Sequence, residues 1–553
     1  MSNSIHKRHG DLTPTPVHVA FDEENDGLLP VSVPETKFSP KQNAKSSKKL
    51  LPIDRPAFLV LCILYLLQGV PVGLAFGSVP FILKSKVSYS QVGIFSLAAY
   101  PYSLKLLWSP IVDSIYSSKV GRRRSWIIPV QAVSGITLIF MGARIDKLVD
   151  DPVNNLVTIT TCFFLLVLFC ATQDIAVDGW ALTVLSPECL SFASTAQTIG
   201  INCGYFSSFT VFLALSSPDF ANRYLRSIPV DRGLFSLGLY LTFWGYAYLV
   251  VTALLYYVPE DPPHLKQINQ AKLMNEKAKL DTVYNHKSSW SGVLKVYLSM
   301  YQVLKLRNVQ VYVVILLIAK FGFQVNEAAT NLKLLEKGLS KEDLSITVLI
   351  DFPFEMIFGY YAGRWSTGKS PLKPWLLGFG GRLLSAAVAQ LIIYFFPKDG
   401  VTKGYFILII LQHLMASFMS TIQFVSLCAF NTRIADPAIG GTYLTTLNTI
   451  SNYGGTWPRL LIFYFIDKLT IAKCEPPANS TPSTLAQFGF DANTEPLKEK
   501  CRQLGGQVTI LRDGYFYTNF FCISCGVLIL LWVKRKLTYL QSLPNSAWRV
   551  DTS

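Results

Sequence analysis

The chain has 553 residues, of which 50% are hydrophobic and only 15% charged, with a mean hydropathy of +0.34. That balance excludes an ordinary soluble domain, whose water-facing surface carries more charge. A net charge of +15 would suggest nucleic acid in a soluble protein, but here Lys and Arg sit mostly in tails and loops, as topology signals do, so no nucleic-acid partner is expected.

Residues 1–50 are rich in Ser, Lys, Pro and acids and contain no apolar signal-peptide core, which predicts a disordered cytoplasmic tail. Within it, Glu24 followed by Leu28 and Leu29 is similar to an acidic dileucine sorting signal, a string common in disordered tails. Apolar windows of about 20 residues, enough to cross roughly 30 Å of hydrocarbon, then follow in series. The first set covers 57–83, 92–115, 125–143, 156–185, 193–215 and 234–258. A polar, Lys-rich stretch at 259–308 reads as a cytoplasmic linker, opened by Pro262 and Pro263. The second set covers 309–334, 344–363, 374–396, 405–429, 439–465 and 516–533, and 534–553 reads as a second cytoplasmic tail. The expected fold is an all-α polytopic membrane protein of about 12 transmembrane helices, an N-terminal six-helix bundle at 51–258 and a C-terminal one at 309–533.

The two sets are related. At a spacing of 250 positions Gln173 meets Gln423, Pro187 meets Pro437, Thr195 meets Thr445, Asn202 meets Asn452 and Gly204 meets Gly454. A duplicated membrane chain generally holds its ligand between the halves. Orientation follows from the basic residues Lys48, Lys49, Arg55, Arg122, Arg123, Arg124, Lys534, Arg535 and Lys536, which fit a cytoplasmic side, although Arg223, Arg226 and Arg232 would face the other way. The connection 467–514 then falls on the luminal side. It carries the glycosylation candidate Asn479, in Asn479-Ser480-Thr481, and the disulfide candidates Cys474 and Cys501, both suited to an oxidising lumen. The other cysteines, including Cys522 and Cys525, read as small core residues.

Two six-span halves, a central linker and a basic second connection together resemble the major facilitator superfamily. Asp113 with Gly121, Arg122, Arg123 and Arg124 is similar to that superfamily's gating motif, an ion-pair latch between helix ends, and Gly363, Arg364, Gly368 and Lys369 stand in the second half. Topology alone also accounts for such charges.

Ionisable groups at membrane depth are expensive and face partners or wet cavities. Lys320, Gln324, Glu327 and Asn331 recur at helical spacing in the seventh window and are expected to share one face. Asp174 and Asp178 lie one turn apart in the fourth, as do Asp351 and Glu355 in the eighth, and are assigned to gating or coupling. Lys105 and Arg459 supply positive partners. Thr195, Thr198 and Asn202 form a polar stripe matched by Thr445, Asn448 and Asn452, which implies a shared cavity. Tyr443 and Trp457 flank the second stripe and are candidates to stack on a nucleobase; packing is the plainer role. Structural salt bridges account for the same charges without any ligand. Gly69, Gly73 and Gly77, with Pro71 and Pro80, make a close-packing, bendable first span. A polytopic acyltransferase needs a positioned acid-base group, and His413 is the one histidine of six inside a window. No Cys/His ligand spacing and no phosphate-cradling Gly-rich loop is found, so neither metal nor cofactor is expected.

The strings running from Ala171 through Gln173, Asp174, Asp178 and Trp180 to Thr183, from Asp436 to Tyr443, and from Leu447 through Asn448, Asn452, Gly454 and Gly455 to Trp457 and Pro458 resemble the acetyl-coenzyme A transporter family. Leu104-Lys105 to Trp108 with Pro110, Asp113 and Gly121 is similar too, and the resemblance extends from about Leu61 to Tyr517. The core around Asp174 is also close to bacterial muropeptide permeases. The resemblance implies alternating-access movement of acetyl-coenzyme A from cytosol into the lumen of the endoplasmic reticulum, with the bilayer as surroundings; exchange for free coenzyme A, proton coupling and passive movement all stay open. Its phosphates would meet Lys105, Lys320 and Arg459, near Gln324, Glu327, Asn331, Asn448 and Asn452. A permease-like carrier of another anionic metabolite or peptide is the alternative, followed by an acyltransferase.

Overall fold

The structure is a computed structural model that describes residues 50–117, 120–186, 189, 191–259, 289–366, 370, 372–397, 400–435, 440–476, 488–492 and 495–549. The tail 1–49, most of the linker, Pro187, Pro437, Gly368, Lys369 and the candidate Asn479 lie outside the described residues, as does the side chain of Arg364.

Among the described residues, nine helices are long and apolar enough to cross a membrane. They are span 1 (Pro52–Lys84), span 3 (Arg124–Gly142), span 4 (Pro152–Val184), span 5 (Thr195–Ser216), span 6 (Leu237–Leu255), span 7 (Arg307–Glu336), span 9 (Leu372–Tyr394), span 10 (Lys403–Ile434) and span 12 (Gly514–Ser542). Spans 2, 8 and 11 complete the two six-helix bundles, and each has a physical reason to read weakly. Span 2 is a chain of short pieces, Tyr89–Phe95, Ser96–Ala99, Tyr100–Leu104, Lys105–Leu107 and Ser109–Ser114, because Pro101 and Pro110 each remove a donor and restart the helix. Span 8 (Lys341–Ser366) carries Asp351 and Glu355 at mid-length, and span 11 (Gly440–Leu469) carries the Thr and Asn stripe.

The duplication is visible in packing as well as in letters. A Cβ on Gly204 of span 5 would strike the Leu66 carbonyl oxygen of span 1, and one on Gly454 of span 11 would strike the Leu316 carbonyl oxygen of span 7. Both members of the second contact stand 250 positions after those of the first. Gly69, Gly73 and Gly77 of span 1 lie against Ile201, Tyr205 and Phe209 of span 5, where larger residues would hold the helices apart. Beside this seam both helices widen into π-helical turns, Leu74–Ser78 and Ser207–Val211, and the Ser78 hydroxyl donates to the Ser208 carbonyl oxygen.

Two expected boundaries move. The last helix runs on to Ser542, so Lys534, Arg535 and Lys536 are helical and not part of a tail. Trp548 beyond it is buried edge-to-face against Tyr312 and Phe430, an aromatic cluster that anchors the C terminus to the second bundle. Within the expected linker, Ser289–Lys305 is a helix. The connection after span 11 folds into an antiparallel pair, Ile471–Glu475 with Gln507–Arg512, and a helix Glu495–Gln503. A disulfide joins Cys474 to Cys501, whose Cα atoms are 5.7 Å apart, and Phe488, Phe490 and Val508 pack around it. The two ends of the bundles are called the linker end and the loop end after these segments.

Candidate functional site

Three cavities of about 630, 660 and 590 Å³ adjoin one another between and beside the bundles. The central cavity takes lining from both halves, including Phe76, Tyr102, Tyr205, Lys320, Asn452 and Arg459. Phe81, Val92, Phe95 and Phe463 line it as well, an apolar wall contributed by both halves. Past this wall the halves are joined at the loop end. The Tyr89 hydroxyl of span 2 donates to Glu336 of span 7 at 2.7 Å, and its ring stacks on Phe463 at 6.1 Å. Buried Lys333 holds Glu336 at 3.1 Å and Asp513 at 2.5 Å.

The second cavity, here the vestibule, lies toward the linker end. It is lined by Lys105, Asp113, Arg123, Asp174, Asp178 and Gln197 from the first half and by Thr445, Asn448 and Asn452 from the second. Val296 and Met300 of the linker helix also line it, and the Tyr297 hydroxyl of that helix donates to the Leu107 carbonyl oxygen. The third, a side cavity, is enclosed by spans 7 to 11 and contains Lys320, Glu327, Asp351, Glu355, Arg382 and His413.

Most charges here are answered by neighbours. Lys105 forms an ion pair with Asp174 and lies 4.0 Å from Asp178, so its ammonium is held by two carboxylates and not bare to a ligand. Asp178 in turn accepts hydrogen bonds from the Tyr65 hydroxyl at 2.8 Å and Gln197 at 2.9 Å. Arg382 pairs with Glu327, bonds Gln423 and sits 3.8 Å over the Phe323 ring. His413 lies 3.4 Å from Asp351. At the linker end Arg123 pairs with Asp113, Arg122 donates to the Asp113 carbonyl oxygen at 3.2 and 3.0 Å, and Arg124 donates to the Tyr256 carbonyl oxygen at 2.7 Å. The Arg123 guanidinium lies where a side chain on Gly179 would be, which ties span 4 to this cluster.

Two cations are different. Neither Lys320 nor Arg459 forms an ion pair among the described residues, and both line the central cavity. Lys320 lies along span 11 in the space left by Gly455, whose added Cβ would come 3.3 Å from Nζ. Arg459 has the Phe76 ring 5.8 Å from its guanidinium, and its Nε has no hydrogen-bond partner among the described residues.

Several expected site residues stand elsewhere. Gln324 is fully buried and lines none of the three cavities. The reason is that span 7 is not one continuous helix: a 3-10 turn at Phe321–Phe323 precedes Gln324–Ala328, and the 3.6-residue repeat carrying Lys320, Glu327 and Asn331 onto the cavities does not hold through it. Tyr443 is buried and its hydroxyl donates to the Trp548 carbonyl oxygen at 3.1 Å, so it presents no face to a base. Trp457 gives its indole N–H to the Leu317 carbonyl oxygen at 2.9 Å and stacks on Phe321 at 6.3 Å. The matched stripes diverge too: Thr445, Asn448 and Asn452 line the vestibule, whereas span 5 contributes Gln197, Tyr205 and Phe209 to the cavities and not Thr195, Thr198 or Asn202. Sequence reasoning passed over Tyr65 and Gln197; Arg382, expected on the ninth span to reach an interface or a neighbouring acid, finds Glu327.

Comparisons with known proteins agree with this architecture. The family model described as acetyl-coenzyme A transporter 1 matches residues 57–373 and 368–550. The chain is 47% identical over 563 residues to an uncharacterized membrane protein of Saccharomyces cerevisiae, covering 91% of this chain and 99% of that protein. A shorter match, 27% identical over 164 residues, covers 30% of this chain and 32% of the anhydromuropeptide permease of Escherichia coli. Among solved structures, a bacterial homologue of the human lysosomal transporter Spinster superimposes with a TM-score of 0.55 at 13% identity, covering 91% of this chain and 100% of that one. The chain therefore belongs to the acetyl-coenzyme A transporter family, with the two-bundle fold of the major facilitator superfamily, and is a multi-pass membrane transporter of small molecules rather than an enzyme.

Proposed function

We propose that the chain carries acetyl-coenzyme A by alternating access, loading it from the cytosolic linker end and releasing it at the loop end into the lumen of the endoplasmic reticulum. The observation that carries the reading is the pair Lys320 and Arg459, two cations without carboxylate partners among the described residues, in a cavity built by both halves. Holding such charges at membrane depth is costly, and a polyphosphate anion offsets that cost while the cations replace its hydration. Asn331 and Asn452 line the same cavity and supply neutral donors. The disulfide-stapled loop supports an oxidising compartment on the release side, where a delivered acetyl thioester serves luminal acetylation. Asp351, Glu355 and His413 stand beside this site as candidates for coupling, and Asp113 with Arg122, Arg123 and Arg124 for gating.

Purified protein in liposomes should take up labelled acetyl-coenzyme A. Lys320→Gln and Arg459→Gln should each raise the KM at least roughly ten-fold, the scale of losing one charge-assisted contact, with unchanged melting in detergent. Unlabelled muropeptide should not compete. Competition by muropeptide with no uptake of acetyl-coenzyme A would favour a permease-like carrier, and wild-type affinity in both variants would remove these cations from the substrate site.

A further inference from the structure

The vestibule and the side cavity share Phe424 of span 10. The residue is 63% exposed and, among the described residues, its ring stacks on no other aromatic ring. It lines both cavities, and the vestibule also holds Lys105 and Asp174 of the other half. A phenyl ring left open to a wet, charged chamber forfeits the burial that usually justifies an aromatic side chain. The duplication sharpens the point: Phe424 stands 250 positions after Asp174, so the position filled in one half by a buried, paired acid is filled in the other by a bare ring. Lys320 lines the same side cavity.

Resting on the transport reading above, we propose that Phe424 is the stacking surface for the planar heteroaromatic base of a nucleotide anion whose phosphates are held at Lys320. Stacking suits this position because every base offers a π-face and no precise hydrogen-bond geometry is required of a mobile cargo. Tyr443 and Trp457, the aromatics beside the span 11 stripe for which packing is the plainer role, are both committed to backbone partners. Phe424 keeps both the exposure and the place in the cavity that the role needs.

The test uses the full chain in liposomes, with uptake of labelled acetyl-coenzyme A competed either by ADP, which has base and diphosphate, or by 4′-phosphopantetheine, which has phosphate and no base. Phe424→Leu should weaken inhibition by ADP about ten-fold, the size of one base stack, and leave inhibition by 4′-phosphopantetheine unchanged. Phe424→Trp should restore ADP to within about two-fold of wild type, a recovery that stacking explains and mere volume does not. Equal weakening of both inhibitors, or unchanged ADP inhibition in Phe424→Leu, overturns the assignment. If wild-type protein takes up no acetyl-coenzyme A, the transport reading itself fails, which is distinct from failure of the stack.

Discussion

The two bundles are related by duplication, yet they treat charge in opposite ways. In the first half Lys105 is enclosed by Asp174 and Asp178, with Tyr65 and Gln197 completing the acceptors of Asp178. In the second half Lys320 and Arg459 meet the central cavity with no carboxylate paired to them among the described residues, while Glu327 is engaged by Arg382 and Asp351 by His413. A cation with its own acid inside the fold is part of the frame, because any ligand must first outcompete that acid. A cation without one is available. The first half thus gives the vestibule a rigid wall and the second half gives the central cavity a receptive wall, and the difference lies in which residues have partners and not in which residues are charged.

The largest expected effect attacks the rigid wall. Asp174 is 0% exposed, so Asp174→Asn leaves Lys105 with its weaker partner and should cost about 3 kcal/mol of stability, as removal of one member of a buried pair does. Lys105→Met combined with Asp174→Leu should recover most of that loss, because neither charge is then stranded. Thermal unfolding in detergent reads both. Unaltered melting of Asp174→Asn would mean that this wall is no more built-in than the other.

A smaller effect concerns how the walls separate. The Tyr89 hydroxyl is a direct polar link from the first half to Glu336 of the second, whereas the stacking of its ring on Phe463 does not need that oxygen. Tyr89→Phe should remove about 1 kcal/mol from the closed loop end and shift the balance between the two facing states roughly five-fold. A cysteine placed at Val92, on the apolar wall, should then label faster with a membrane-impermeant thiol reagent applied from the loop end. No change in labelling would place closure in the apolar wall alone.

Much of this arrangement is legible in the chain itself, and the limit is physical. The duplication could be read because glycines that let helices touch, Gly204 and Gly454, tolerate no substitute in either copy. The stripe of span 11 was readable because that helix is continuous, so spacing maps onto a face. Gln324 was misplaced because a 3-10 turn interrupts span 7, and a one-residue change of twist rotates a side chain away from its expected face. Tyr443 was misplaced because its partner, Trp548, lies in a segment that looked like a polar tail. The state of the cations was not readable at all. Lys105 finds its acid 69 positions away on another helix, and no local pattern separates that lysine from Lys320.

The smallest effect asks whether divergence of the matched stripes is functional. Asn202 and Asn452 are equivalent by the 250-residue offset, but Asn452 lines both the central cavity and the vestibule, and Asn202 lines neither. Asn452→Ala should therefore reduce the initial uptake rate about three-fold, the worth of one intramembrane hydrogen bond of under about 1 kcal/mol. Asn202→Ala should stay within about 1.5-fold of wild type, since its amide has no ligand to lose. Both are surface-neutral amide deletions on helices of matching position, so a shared loss of rate would show that the amides act through helix packing in each half. A loss confined to Asn202→Ala would reverse the receptive and rigid walls, and with them the reason for placing the anion beside Lys320 and Arg459.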